Sequence, residues 1–559
     1  MKNIIIIFTL VFSAMLLLTA CNDNFLDNTP SNSIVGSSLT EENLPQLTAP
    51  LYNRAWFGFN SNFYFGLGDG YAYNINAPYS DYIYPFSDLA VTGLTGPLVS
   101  AWESFYTVAV RATGVIQTVR ESSASDEAKA EYIAEARFMR GIAYWYLTSL
   151  WSNTIIVDNE QKFIENPVQP TNPKKDVYEY AIRDLEYAAK YLPETSSAKG
   201  RINRYSAFGM LSRLYLDYSG FVASNYGQNP NCGTRDAEYL NLAKKAAEKV
   251  IGNAAFSLMP NYADLFKPEN NNNEETLFSL QWVGGLNSST GYGLINTQQA
   301  YFAFGSVVTG DDAAWGGGGT GCPYDMIKEY MVEPNDTIRR KATWMGNGDY
   351  YPEINQANGG LLYNEDIFSA APRWLSVKKG VTGSNKDNPN IGRMNSALDT
   401  YMLRLAEVYL NYAEAILGNN ASTSDATALE YFNKVRTRAH ISAKSSITWE
   451  DLRHERRIEF CLEGRYWYDL VARSYYRQQE VINYLNNQER GRVIQYLFDS
   501  PNDLRVNPDV DEGKRAVGVA IPATFRLPYP ESELLMNPKL RGDSISFEFT
   551  EERITDLFN

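Results

Sequence analysis

The sequence predicts a mainly α protein, a tetratricopeptide-like solenoid of helical hairpins interrupted by a large loop-rich insertion. Three observations carry that reading. Apolar residues recur at steps of three and four in two windows, about 100–251 and 400–495. Short polar turns join the helices inside each window, and Ala and Tyr occupy facing positions, the composition by which one hairpin buries surface against the next. Between the windows lie about 150 residues without either regular period, punctuated by Asn270 to Asn273, Gly284-Gly285, Gly316 to Gly319 and Gly359-Gly360.

The clearest helix covers Tyr401 to Leu417. Arg404, Glu407, Asn411 and Glu414 form one polar stripe, and Met402, Leu405, Ala406, Tyr409, Ala413 and Ile416 fill the other side. Gly418 and Asn419 suit its C-terminus. A second helix spans about Asp425 to Arg438, and Thr448-Trp449-Glu450-Asp451 offers a capping-box-like start for a third that runs on through Asp469-Leu470.

Upstream, Thr40 with Glu41 and Glu42 starts a helix to about Trp56. Between Trp56 and Phe86 there are 12 aromatic residues in 31, mixed with glycine and proline, so this stretch either packs its rings or displays them. Helices are expected at Trp102–Val119, Asp126–Trp151, from an Asp176/Glu179 capping box to Pro193, at Tyr205–Tyr218 and at Glu238–Ile251. Gly141 and Ala143 are small enough for close helix approach.

At the N-terminus, Ile4 to Leu18 is almost wholly apolar and Leu18-Thr19-Ala20-Cys21 fits a lipoprotein cleavage site. The run is too short for a comfortable membrane span. The expected organisation is a signal peptide at 1–20, a linker at 21–38 that carries a lipid on Cys21, and a single domain at 39–559. Its loop-rich parts are about 56–99 and 260–399. The formal charge of −15 becomes −16 when Lys2 leaves with the signal peptide, which argues against nucleic acid as a partner.

Catalytic signatures are sparse. His440 and His454 are the two histidines, and His454-Glu455-Arg456-Arg457-Ile458 lacks the second His of a zinc-protease helix, so it reads as a charged helix face. Gly316 to Gly319 is not followed by the Lys of a phosphate loop. Asn507, Asp509 and Asp511 have a calcium-loop rhythm, but Glu512 stands where that loop needs Gly and Gly518 where it needs Glu. Asp311-Asp312 beside Trp315 is the most tempting carboxylate pair, yet a glycosidase pair is identified by spatial separation alone. No metal, cofactor or catalytic residue is assigned. Cys232 and Cys322 lie in loops and are the pair available for a disulfide, while Cys461 reads as a packed small hydrophobe.

Several motifs occur in an order that resembles the SusD/RagB family. They are Cys21 with Phe25-Leu26-Asp27, Ala134-Glu135-Ala136-Arg137, Leu403 to Ala415, Glu455-Arg456-Arg457-Ile458-Glu459 with Glu463-Gly464-Arg465-Tyr466, and Leu527-Pro528-Tyr529-Pro530 with Asn537-Pro538-Lys539-Leu540. The chain departs at Phe460, where Leu is usual, and at Arg541-Gly542-Asp543. The resemblance implies an outer-membrane, lipid-anchored surface protein that captures a glycan on its loop-rich insertion and passes it to a SusC-like TonB-dependent transporter. Rings stack on sugar C–H faces and a few polar groups meet hydroxyls. The implied ligand residues are Trp282, Tyr292, Tyr301 and Trp315, with Asp69, Asp81, Tyr82 and Arg373 for hydroxyl contacts. A peptide-capturing relative, a glycosidase and a lid that binds nothing alone are the competing readings.

Overall fold

The computed structural model describes residues 38–558 apart from 78–79, 81, 287–290, 292, 303–319, 365–374, 392–393, 493–504 and 506–515. Cys21, Asp81, Tyr292, Asp311, Asp312, Trp315 and Arg373 therefore lie outside the described residues, as do Asn507, Asp509 and Asp511.

Among the described residues nine longer helices make the frame, and most begin where a side chain satisfies the free N–H groups of the first turn. They are α1 (Gly96–Glu121), α2 (Asp126–Trp151), α3 (Lys174–Tyr191), α4 (Arg204–Ala223), α5 (Ala237–Ile251), α6 (Leu405–Leu417), α7 (Ala426–Arg438), α8 (Trp449–Glu459) and α9 (Tyr466–Asn486). Ser125, Asp236 and Asp425 cap α2, α5 and α7, and reciprocal capping boxes open α4 at Asn203/Ser206 and α8 at Thr448/Asp451. α3 differs from expectation: it starts after Pro173, and the Asp176 carboxylate instead accepts the Phe547 N–H at 2.9 Å.

Consecutive helices pack pairwise from α1 to α5, and α6 continues the stack on α5 although about 150 residues separate them in sequence. The fold is a mainly α, tetratricopeptide-like solenoid. Gly141 is where α2 meets α3: a Cβ there would stand 3.0 Å from the Ala181 carbonyl and 3.2 Å from Asp184 and Leu185.

Three sequence expectations are corrected. Residues 400–404 are strand, not the first turn of α6: β2 (Thr400–Arg404) pairs antiparallel with β1 (Thr276–Leu280), with Leu280 opposite Thr400 and Ser279 opposite Tyr401. The third C-terminal helix breaks after Glu459, because Leu462 and Gly464 take positive φ before α9 begins. The expected helix 40–56 is a chain of short turns, with Pro45 and Pro50 early in two of them.

Most of the aromatic stretch is packed, including Phe59, Phe63, Phe65, Tyr71, Tyr73 and Phe86, while Tyr82 is half-buried and Tyr84 exposed. The stretch winds through wide helical turns at Phe59–Phe63 and Gly66–Tyr71, and its buried rings enter the core against α1 and α2. Phe59 meets Tyr146 at 5.0 Å and Phe63 stacks on Trp151 at 6.3 Å. The middle segment adds short helices at Gln298–Phe302, Tyr324–Val332 and Thr337–Thr343, plus two-residue ribbons. Cys232, Cys322 and Cys461 are all free thiols, so the available pair does not form a disulfide.

Candidate functional site

Two of the sequence-selected rings come together. Tyr301 sits on the short helix Gln298–Phe302, and Tyr82 lies in the turn before Tyr84–Ser87. Their ring centroids are 4.9 Å apart, edge to face. Beneath them, Phe65 meets Tyr301 at 5.6 Å and Phe302 at 4.7 Å. Phe65 and Phe302 are buried, whereas Tyr82 and Tyr301 are half-buried. The result is a pair of rings with accessible edges on a packed aromatic base, a low-entropy way to hold a stacking surface.

Buried amides lock that helix. Gln299 donates to the Gly383 carbonyl at 2.7 Å and accepts from the Thr382 N–H at 2.7 Å; Gln298 donates to Asn60 Oδ1 at 3.1 Å. The base is also tied to the frame through the next residue along, since the Tyr64 hydroxyl donates to the Glu463 and Tyr401 carbonyls.

Described residues that flank the segments holding Asp81, Trp315 and Arg373 meet at one point. Gly321, just after 303–319, exchanges backbone hydrogen bonds with Asn76, just before 78–81, at 2.8 and 3.0 Å. On its other side Gly321 bridges Ser376, and the Cys322 N–H donates to Leu375, just after 365–374.

Trp282 and Asp69 are corrections. Trp282 is 6% exposed: its indole N–H donates to Thr400 Oγ1 at 3.0 Å and Phe57 packs edge-on against it at 6.4 Å. Asp69 is fully buried and accepts the Leu462 and Gly464 N–H groups at 2.9 and 2.7 Å, which clamps the aromatic stretch to the turn between α8 and α9. Burial pushes it up to about 6, with those N–H groups and Asn74 opposing. Gly68 and Gly464 are needed there. A Cβ on Gly68 would overlap the Gly464 backbone at 2.3 Å, and Gly464 has φ +64. Asp399, beside Trp282, is likewise pushed up to about 7 by burial.

What the sequence hid is the ion lattice under the site. The polar stripe that runs from the end of β2 into α6 faces inward: Arg404 is 1% exposed and binds Glu275, Glu459 and Glu463 at 2.7, 2.6 and 2.8 Å. Arg339 binds Glu455 and Glu459, Arg438 binds Glu275 and Glu459, and Lys379 binds Glu463 at 2.9 Å. Glu407 lies between Arg213 and Arg465. Burial would raise its pKa, but these guanidiniums outweigh it and hold the carboxyl down to about 2. His454 is not on a solvated face either; it is buried, with Nδ1 2.6 Å from Glu329. The detectable signal was Glu455, Glu459 and Glu463 at four-residue spacing, with Arg436 and Arg438 at the end of the preceding helix. Among the described residues no cluster of three or more His, Cys, Asp or Glu could hold a metal ion.

The SusD family pattern matches residues 222–542, more than half of the chain. The chain belongs to the SusD family. A second pattern of the family, described as starch-binding and associating with the outer membrane, matches residues 25–216. A SusD-like protein of Bacteroides ovatus is 39% identical over 97% of this chain and 98% of its own. A crystal structure with xylogluco-oligosaccharide is similar at 38% identity, covering 91% of this chain and all of that one, with a TM-score of 0.81. The starch-binding protein SusD of Bacteroides thetaiotaomicron is 25% identical over 60% of this chain and 63% of its own. Among the described residues, no helix of this SusD-family chain is long and apolar enough to cross a membrane.

Proposed function

We propose that this chain is a cell-surface glycan-binding lipoprotein that captures an oligo- or polysaccharide and delivers it to a SusC-like TonB-dependent transporter, without catalysis. The observation that carries the reading is the Tyr82/Tyr301 pair, held edge to face with accessible rings on a buried Phe65/Phe302 base. Trp315, Asp81 and Arg373 extend that surface in this proposal, because the described ends of their loops meet at Gly321. Tyr292 is a further contact in it. The lipid on Cys21 tethers the chain to the outer membrane.

Xylogluco-oligosaccharide, bound by a 38% identical relative, is the first ligand to try. An open ring platform leaves much of the ligand wet, so Kd on the order of 10 µM to 1 mM is expected. The raised acids Asp69 and Asp399 are buried and accept backbone N–H groups, which supports binding over hydrolysis.

The test is calorimetric titration of residues 22–559 with xylogluco-oligosaccharide, other glycans and a mixed peptide digest, with reducing ends assayed in parallel. Heat with a glycan and constant reducing ends is the expected result. Heat with peptides alone, or new reducing ends that vanish when one carboxylate is replaced, overturns it.

A further inference from the structure

A cavity lies away from the aromatic platform. It is a cleft of about 330 Å³ between α1, α2, α3 and the segment 547–554, and no residue of the loop-rich half lines it. Four arginines converge there, Arg120, Arg137, Arg140 and Arg183, in a chain of formal charge −15.

Their commitments differ. Arg140 grips Asp184 through two hydrogen bonds at 2.8 and 2.9 Å. Arg137 is 6% exposed, and its Nε has no hydrogen bond and stands 3.8 Å from Asp184. Its Nη2 instead meets the carboxylate of Glu551, which also accepts from Arg120 at 3.1 Å, while Arg183 donates to the Glu551 backbone carbonyl at 2.5 Å. A carboxylate from elsewhere in the chain thus fills an arginine fork while half of its own side chain stays in water. Rings complete the cleft. Tyr187 lies under Arg137 at 4.2 Å, Tyr191 flanks Tyr187 at 4.4 Å with 41% of its surface exposed, and Phe549 lies under Arg183 at 4.2 Å.

We propose that this cleft is a second ligand site, for an oligosaccharide bearing one carboxylate such as a hexuronate residue, and that Glu551 is the tethered stand-in for that carboxylate. The exposed Tyr191 ring suits sugar C–H groups, and arginine forks suit carboxylates. The volume falls within the about 300–1,000 Å³ of small-molecule sites. Solvent screens the half-exposed Glu551 pair with Arg120, and the contact with the nearly buried Arg137 is the one an incoming carboxylate must replace. Asp158 and Glu552 line the same cleft, which favours a single carboxylate over a polyanion.

The test titrates the full chain with a xylotriose bearing one glucuronate, using neutral xylotetraose and free glutarate as controls. Glu551→Ala is expected to tighten binding of the uronate about fivefold, and Arg120→Ala in that background to weaken it about tenfold. Tyr191→Ala in the otherwise unchanged chain, with the same melting temperature, is expected to weaken it about fivefold, which decides the matter if Glu551→Ala does not fold. Tyr82→Ala, in the platform, is expected to lower binding of the uronate and of xylotetraose alike and to leave the preference for the uronate unchanged, so this site stands or falls apart from the platform. Equal affinity for neutral sugar, glutarate binding as tightly as the uronate, affinity indifferent to Glu551 and Tyr191, or loss of the uronate preference on Tyr82→Ala overturns the proposal.

Discussion

The turn between α8 and α9 and the aromatic stretch 56–86 touch each other at Asp69 and Gly464, yet they are built on opposite chemistry. Around α6 and α8 the interior is charged: Arg339, Arg404, Glu455 and Glu459 are at most 1% exposed and bind one another. In 56–86 the interior is aromatic, and its last layer, at Phe65, supports the half-buried Tyr301 and, through it, Tyr82. Directional ion pairs with two or three partners each tolerate little displacement, whereas packed rings transmit shape. The charged half fixes where the turn at Gly464 stands, and the aromatic half carries that position outward to the platform.

The largest effect that tests this contrast is on stability. Arg404→Ala removes one cation from each of the buried carboxylates Glu275, Glu459 and Glu463, leaving them to Arg438, Arg339 and Lys379, and a loss of about 3–5 kcal/mol in urea unfolding is expected. Trp282→Phe removes the indole bond to Thr400 and some core volume; it is expected to cost about 1–2 kcal/mol and to leave glycan affinity within about twofold.

A smaller effect follows pH. Glu407 is held at about 2, below its unfolded value of 4.5, so its stabilisation is present above 4.5 and is lost as pH falls toward 2. Glu407→Gln is expected to flatten the drop in melting temperature between those limits. Asp399 has the opposite sign: raised from 3.8 to about 7, it favours the acid form when folded, so stability falls as pH rises through that window. Asp399→Asn is expected to flatten that decline, and a slope unchanged in both variants contradicts the assignments.

The frame was legible because helical spacing and caps are local: α2 and α5 begin within a residue of where Asp126 and Glu238 placed them. The strand at 400–404 was not, since Tyr401, Leu403 and Arg404 fit a helix face equally well until β1, more than a hundred residues upstream, supplies the pairing. The stripe from Arg404 into α6 was legible as a stripe but not as buried, because the partners of Arg404 come from two distant parts of the chain, Glu275 upstream and Glu459 with Glu463 at the end of α8 and the turn after it. Of the site, Tyr82 and Tyr301 meet as rings, whereas Trp282 turned inward because Thr400 offered its N–H a buried partner. A ring's side of the surface is decided by neighbours that sequence spacing does not name.

The most direct measurement compares xylogluco-oligosaccharide affinity across Tyr82→Ala, Tyr301→Ala and Trp282→Phe, each with its melting temperature. The account predicts at least about tenfold weaker binding in the two tyrosine variants with their folds intact, and near-native binding with a lower melting temperature in the tryptophan variant. Unchanged affinity in both tyrosine variants, or lost affinity confined to Trp282→Phe, would contradict it.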